Sequence, residues 1–204
     1  MLRFGPEMFA RVGEVLPRSR DDDLDEARRS AAVLIPLYES GGEVHLVLTK
    51  RSSTVRTHRG EVSFPGGGQE PSDGSLEATA LREAQEEIGL HPDDVEVLGV
   101  GDDMPTAVSG YVIRPFVARI PHPYVFRPDP SEVERVLRPR LRDFTDPSRR
   151  REQTWEREGV RFPMTFYEVE GEIVWGATAR ILVTFLDRLA GREPDPVRIP
   201  PPRR

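Results

Sequence analysis

Glu83, Glu86 and Glu87 stand at i, i+3 and i+4 within Ala80-Leu-Arg-Glu-Ala-Gln-Glu-Glu-Ile-Gly-Leu90, so an α-helix through them gathers three carboxylates on one face. Like charges at those spacings destabilise a helix by roughly 0.2–0.5 kcal/mol per pair. A cation would remove the repulsion, and hard divalent ions prefer clustered carboxylate oxygens. Taken alone, the pattern reads as a solvated acidic face. What changes the reading is the segment ahead of it, a short strand and a proline followed by Gly66, Gly67 and Gly68. A glycine loop lets the backbone approach a phosphate–metal cluster closely and offer a carbonyl as a further ligand. Arg82, four residues before Glu86, can orient a carboxylate without occupying the metal face.

The elements that must position these groups follow from hydrophobic spacing. A helix is predicted over Ser75–Ile88 and closed by Gly89, with Ala80 and Ala84 small enough to let it press close to a sheet. Before it, Ala31–Tyr38 and Val44–Thr49 read as strands split by Ser40-Gly41-Gly42, Glu61–Phe64 as a short strand and Pro65–Gly68 as a loop. After it, Val95–Val100 and Tyr111–Ile120 read as strands, and Pro130–Leu137 as a short helix. Met164–Val169 and Glu172–Trp175 form a predicted hairpin turning at Glu170-Gly171. Thr178–Leu189 carries Ile181, Leu182, Phe185 and Leu189 on one helical face. Strands interleaved with helices predict an α/β (α+β) fold, a mixed β-sheet sandwiched between α-helices. The expected organisation is a helix and linker over residues 1–29, one domain over 30–190, and a Pro/Arg-rich tail over 191–204.

Composition sets the outer limits. A length of 204 residues suits one domain with a full-sized core. The net charge of −6 argues against a nucleic-acid partner held by bulk positive charge. Lys50 is the only lysine among 29 basic residues. With no cysteine, disulfides, thiolate metal sites and cysteine nucleophiles are excluded. The absence of a long apolar run predicts no membrane span, and the opening MLRFGPEMFARVGEVLPRSR holds no signal-like apolar stretch. A cytoplasmic location is the expectation, with the formation of a homodimer left open.

The residues from Arg82 to Leu90 resemble the second half of the Nudix box, R-E-U-x-E-E-x-G-U, where U is bulky or aliphatic and Ala84 takes the first U. The first half departs from the general pattern. Five residues separate Gly67 from Asp73, which stands in place of glutamate, and eight residues, not seven, separate Asp73 from Arg82. That variant looks like the box of the coenzyme A pyrophosphatase branch. Independently, Leu48-Thr-Lys-Arg-Ser52, three residues, Arg56, three residues, Gly60, three residues and Phe64-Pro-Gly-Gly67 is similar to the signature preceding the box in CoA-hydrolysing Nudix proteins. Weaker echoes are Ala31-Ala-Val-Leu-Ile-Pro36, Pro105-Thr106 with Ser109-Gly-Tyr111, and Trp175-Gly-Ala-Thr-Ala179.

The resemblance implies the Nudix fold and a Mg²⁺- or Mn²⁺-dependent hydrolase. Its metal ligands would be Glu83 and Glu87, with Glu86 assisting and the Gly66 carbonyl nearby. Arg82 would support the carboxylates from behind, and Asp73 has no catalytic role. The implied reaction cleaves the diphosphate of CoA or an acyl-CoA to 3′,5′-ADP and 4′-phosphopantetheine or its acyl form. The base could be Glu83, Glu86 or the remote Glu132 in Ser131-Glu-Val133. Lys50, Arg51, Arg56, His58 and Arg59 crowd one basic stretch, and arginine can grip a 3′-phosphate bidentately. Arg51 and Arg56, with the Gly66 and Gly67 backbone, are therefore expected to bind substrate; the opposing reading buries Arg51 against Glu61 as scaffold. Trp175 is expected in the core rather than under an adenine, and His45 in a structural role. The alternatives are a Nudix hydrolase of ADP-ribose or another nucleoside diphosphate derivative, and a nucleotide-binding Nudix domain that cuts nothing.

Overall fold

The computed structural model describes residues 2–20, 29–53, 59–106, 110–157 and 159–195. In chain order they form helix α1 (Glu7–Val15), strands β1 (Arg29–Ser40), β2 (Glu43–Leu46), β3 (Leu48–Arg51), β4 (Val62–Ser63) and β5 (Gly66–Gly68), then helix α2 (Leu76–Ile88). There follow β6 (Glu96–Val100), β7 (Met104–Pro105), β8 (Tyr111–Arg119), β9 (Val133–Leu137), β10 (Arg150–Arg157), β11 (Val160–Val169), β12 (Glu172–Val174) and helix α3 (Gly176–Leu189).

β1 is the spine. It runs parallel to β8 along one edge and antiparallel to β2 and β5 along the other, while β6 and β7 pair with β8. The sheet is therefore mixed. Successive side chains of β1 alternate between two cores, as strand geometry requires. Ala32, Leu34 and Tyr38 meet Ala80, Ala84 and Ile88 of α2, whereas Ile35 and Leu37 join α1 and α3 on the opposite face. Met8, Phe9 and Val12 of α1 are buried, which fits the amphipathic spacing and makes that helix part of the core. Two three-stranded sheets, β4-β3-β9 and β10-β11-β12, complete the described architecture.

α2 forms where its caps place it. The Ser75 hydroxyl accepts from the Ala78 amide at 3.1 Å, and Gly89 closes the helix with φ 66°. Its amide and that of Leu90 donate to the carbonyls of Gln85 and Ala84.

Four local expectations are corrected. Pro130–Leu137 does not continue as a helix. One turn forms, in which the Glu132 and Val133 amides donate to the Asp129 carbonyl, and the chain then extends as β9 because β3 offers an unpaired edge. Gly66–Gly68 is a strand on β1, not a loop. Val44–Thr49 is two strands broken at Val47. β10 was not expected: Arg-Arg-Glu-Gln-Thr-Trp-Glu-Arg lacks alternation and takes its conformation from pairing with β11.

Candidate active site

The site grows from the place where β5 leaves β1 and meets α2. The Leu34 amide donates to the Pro65 carbonyl and the Gln69 amide to the Ser30 carbonyl. In an antiparallel pair, residues 65, 67 and 69 then face β1, and the amides and carbonyls of Gly66 and Gly68 turn to the free edge. The Gly66 amide donates from that edge to Glu87 Oε2 at 3.3 Å, and the Gly66 carbonyl shares the orientation. Only glycine fits here. A Cβ on Gly66 (φ 155°) would lie 2.3 Å from the Ala32 carbonyl oxygen. One on Gly67 would lie 2.4 Å from Glu83 Oε1, within contact of the carboxylate itself.

Glu87 is the buried member of the acidic helix, 2% exposed. Besides the Gly66 amide it meets Arg51, with Nη1 3.4 Å from Oε1. Burial pushes this carboxyl up to about 8, against the attraction of Arg51 and with the repulsion of Glu83 and Glu132 added. Glu83 is raised by the same burial, and Arg82 holds it partly down. Glu86 is different: its side chain is exposed and reaches Arg82 at 3.0 Å.

Arg82 organises the rest. Its Nε and Nη2 donate to the two oxygens of Asp73 at 3.0 and 3.1 Å, Nη2 also donates to the Gly68 carbonyl, and Nη1 lies 3.0 Å from both Glu83 and Glu86. Asp73 in turn accepts from the Thr79 hydroxyl and the Glu70 amide. The Arg82 guanidinium beside it, together with those donors, holds the Asp73 carboxyl well below the usual carboxylate range. The departure from the box at Asp73 thus preserves an anchor for Arg82. An acid nine residues ahead of an arginine was the available signal, but the partnership emerges only when the turn at 70–74 folds back on the helix.

Glu83, Glu87, Arg82, Gly66, Gly67 and Arg51 come together; Glu86 lies at the rim. Arg56 and His58 lie outside the described residues. Arg51 pairs with Glu87, and its backbone amide, not its side chain, bonds to the Glu61 carbonyl at 2.9 Å. Glu132 precedes β9, its carbonyl accepts from the Ser52 amide at 2.7 Å next to Arg51, and its charge adds to the upward push on both Glu83 and Glu87. His45 Nδ1 donates to the Arg138 carbonyl at 3.0 Å and its ring stacks on Tyr38 with centroids 5.1 Å apart, a structural role. Trp175 sits partly exposed in a cluster with Phe166 and Trp155 rather than in the core, because Trp155 on the polar strand β10 supplies its neighbour.

Among the described residues no three His, Cys, Asp or Glu side chains are already drawn together as a metal cage. Arg82 and Arg51 instead supply the positive charge on either side of the carboxylates. The donor set nonetheless fits a divalent ion. Glu87 is buried with little compensation, Glu83 repels it, and the Gly66 carbonyl turns to the same edge as the amide that meets Glu87, so a cation relieves a strain already present.

Residues 27–162 match the family described as NUDIX domain. The chain is 35% identical over 159 residues to "Uncharacterized Nudix hydrolase NudL" of Photorhabdus laumondii, covering 78% of this chain and 84% of that one. It is 36% identical over 182 residues to "Nudix hydrolase 15, mitochondrial" of Arabidopsis thaliana, covering 83% of this chain and 61% of that protein. In structure it is similar to a MutT/nudix family protein from Enterococcus faecalis, with a TM-score of 0.57 at 16% identity, over 84% of this chain and 66% of that one. That likeness concerns the fold alone.

Proposed function

The chain belongs to the Nudix family of hydrolases, and on that premise we propose that it hydrolyses the diphosphate bond of coenzyme A or an acyl-CoA with Mg²⁺ or Mn²⁺. The observation that carries the diphosphate chemistry is the buried, under-compensated Glu87 held at the free edge of a glycine strand. The CoA choice is supported by the run from Leu48 to Gly67 ahead of the box.

A diphosphate resists hydrolysis because its own charge repels an attacking oxygen. Divalent ions, when bound, neutralise the phosphoryl oxygens and lower the pKa of a coordinated water. Glu83, Glu87 and the Gly66 carbonyl would hold them, with Glu86 reaching in from the rim. Arg82 keeps Glu83 in place by tying it to Asp73 and the Gly68 carbonyl, so the ligands are preorganised. Arg51 stands beside Glu87 with a buried Nε that has no partner among the described residues, a donor placed to meet a phosphoryl oxygen. Glu132 lies on a separate element next to Ser52, its charge acts on both glutamates, and it serves as the base that takes the proton of the attacking water. The balanced outcome is CoA plus water giving 3′,5′-ADP and 4′-phosphopantetheine.

Mass spectrometry of products from a panel of CoA, acetyl-CoA, ADP-ribose and NADH tests the reading. The expected result is 3′,5′-ADP from the first two. Cleavage of ADP-ribose with CoA untouched in both metals would overturn the substrate assignment.

A further inference from the structure

The proposed substrate carries one phosphate that takes no part in bond cleavage, the 3′-phosphate of its adenosine. Sequence reasoning assigned that group to Arg51 and Arg56. Arg51 is committed to Glu87 on the α2 side, and Arg56 lies outside the described residues. A further cation beside the same strand is a candidate for the 3′-phosphate.

One stands on the other face of the glycine strand. Because faces alternate along a strand, Gly67 presents to Glu83 and Gly68 presents to Tyr111, whose hydroxyl is 3.5 Å from the position of a Cβ on Gly68. The Arg29 guanidinium carbon lies 4.2 Å from the centre of the Tyr111 ring. Both residues are fixed through their backbones. They are direct partners in the parallel β1–β8 register, and the Arg29 amide donates to the Gly110 carbonyl at 3.2 Å. The Tyr111 amide donates to Thr106 Oγ1 at 2.9 Å, and the Thr106 amide donates back to the Tyr111 carbonyl at 2.8 Å. A guanidinium laid on an aromatic face is a pre-oriented planar donor, and the phenol adds a second.

The two faces meet at an edge that no further strand covers. Among the described residues β5 pairs with β1 alone, and side chains line its other side, Glu87 on the Gly66 amide and Arg82 on the Gly68 carbonyl. Gly67 and Gly68 are consecutive, so the Glu83 side and the Tyr111 side are separated by the thickness of a single strand. That span lies within one nucleotide. A ligand whose diphosphate meets the carboxylate side can fold around the edge and bring a phosphate on its ribose to the tyrosine side.

We propose that Arg29 and the Tyr111 hydroxyl bind the 3′-phosphate of the substrate and so distinguish CoA from diphosphates that lack this group. The inference rests on the CoA reading, and the test separates the two. Isothermal titration with Mg²⁺ present compares 3′,5′-ADP with 5′-AMP, neither of which holds a cleavable diphosphate. The wild type is expected to prefer 3′,5′-ADP by about tenfold or more, the worth of a charged hydrogen bond. Arg29→Ala should weaken 3′,5′-ADP by roughly ten- to hundredfold with 5′-AMP unchanged within about twofold, and Tyr111→Phe by roughly three- to tenfold. Circular dichroism melts establish that both variants fold. In kinetics, Arg29→Ala should raise KM for CoA and leave kcat, and both constants for dephospho-CoA, unchanged.

No preference for 3′,5′-ADP in the wild type, or a preference untouched by both variants, overturns the proposal. So does an equal loss on both ligands. If CoA resists cleavage while the preference still depends on Arg29, the phosphate site stands and the substrate reading fails. If CoA is cleaved but Arg29→Ala leaves its KM and the nucleotide preference intact, the substrate reading stands and this site fails.

Discussion

Replacing Gly67 by alanine tests whether the glycine strand exists to make room for a carboxylate. The Gly67 backbone lies outside the left-handed region, so alanine can adopt it without backbone strain. The new Cβ, however, would stand 2.4 Å from Glu83 Oε1 and 2.6 Å from its carboxyl carbon, where ordinary contact begins at 3.4 Å. The carboxylate must therefore retreat by about 1 Å, and a misplacement of that size can cost about 10²-fold in rate. That corresponds to about 2.7 kcal/mol of barrier. The atoms that move end a flexible side chain, so stability should change by less than about 1 kcal/mol, or about 2–4 °C in Tm. Gly66→Ala makes the control. Its Cβ would meet the Ala32 carbonyl oxygen at 2.3 Å and the Val33 Cα at 2.6 Å, and this backbone cannot yield without parting β5 from β1. A loss of about 2–4 kcal/mol and a Tm lower by about 5 °C or more are expected for that variant. The assay is kcat on CoA beside thermal melts of both proteins. Wild-type turnover by Gly67→Ala at native Tm would refute the reasoning, as would unfolding of Gly67→Ala to the same degree as Gly66→Ala.

Three further outcomes follow from the same geometry. Because burial raises Glu87 from 4.5 to about 8 in the metal-free protein, the unfolded chain ionises it first as pH rises. Stability should then be greatest below about pH 4.5 and decline through about pH 8 for this group, and Glu87→Gln should flatten the Tm–pH profile in EDTA; parallel profiles would contradict it. The Asp73 carboxyl, lowered by Arg82, stabilises the fold above about pH 4 and loses that contribution as pH falls through its depressed value. Asp73→Asn should cost about 2–3 kcal/mol at pH 7 by urea denaturation, and measurably less at pH 2 to 3. Glu132→Gln should lower kcat by about 10²–10⁴ with KM nearly unchanged in steady-state assays, and a normal kcat would move the base elsewhere.

Much of this was readable in the order of residues because it is local. The acidic face of α2, its Ser75 and Gly89 caps and the Glu170-Gly171 turn depend on spacings of a few residues, which short-range geometry decides. Pairing across the chain was not readable. Val133 and Leu137 are spaced as well for a helix as for a strand, and only the exposed edge of β3 settles the matter. β10 carries no apolar alternation and exists through β11. In the site, sequence placed Arg51 in the right neighbourhood but not on Glu87, since nothing local says which of several acids a long side chain will reach. Asp73 was given no catalytic role, and what it does is hold Arg82. Tyr111 and Gly68 are brought together across β1 by a register that no spacing announces.

The central claim is that α2 and the glycine strand form a divalent-cation site, and anomalous diffraction from a crystal grown with Mn²⁺ addresses it most directly. A manganese peak bounded by the Glu83 and Glu87 carboxylates and the Gly66 carbonyl, with Arg51 displaced from Glu87, is the predicted result. Full occupancy of manganese elsewhere on the molecule, with Arg51 still paired to Glu87, would contradict it.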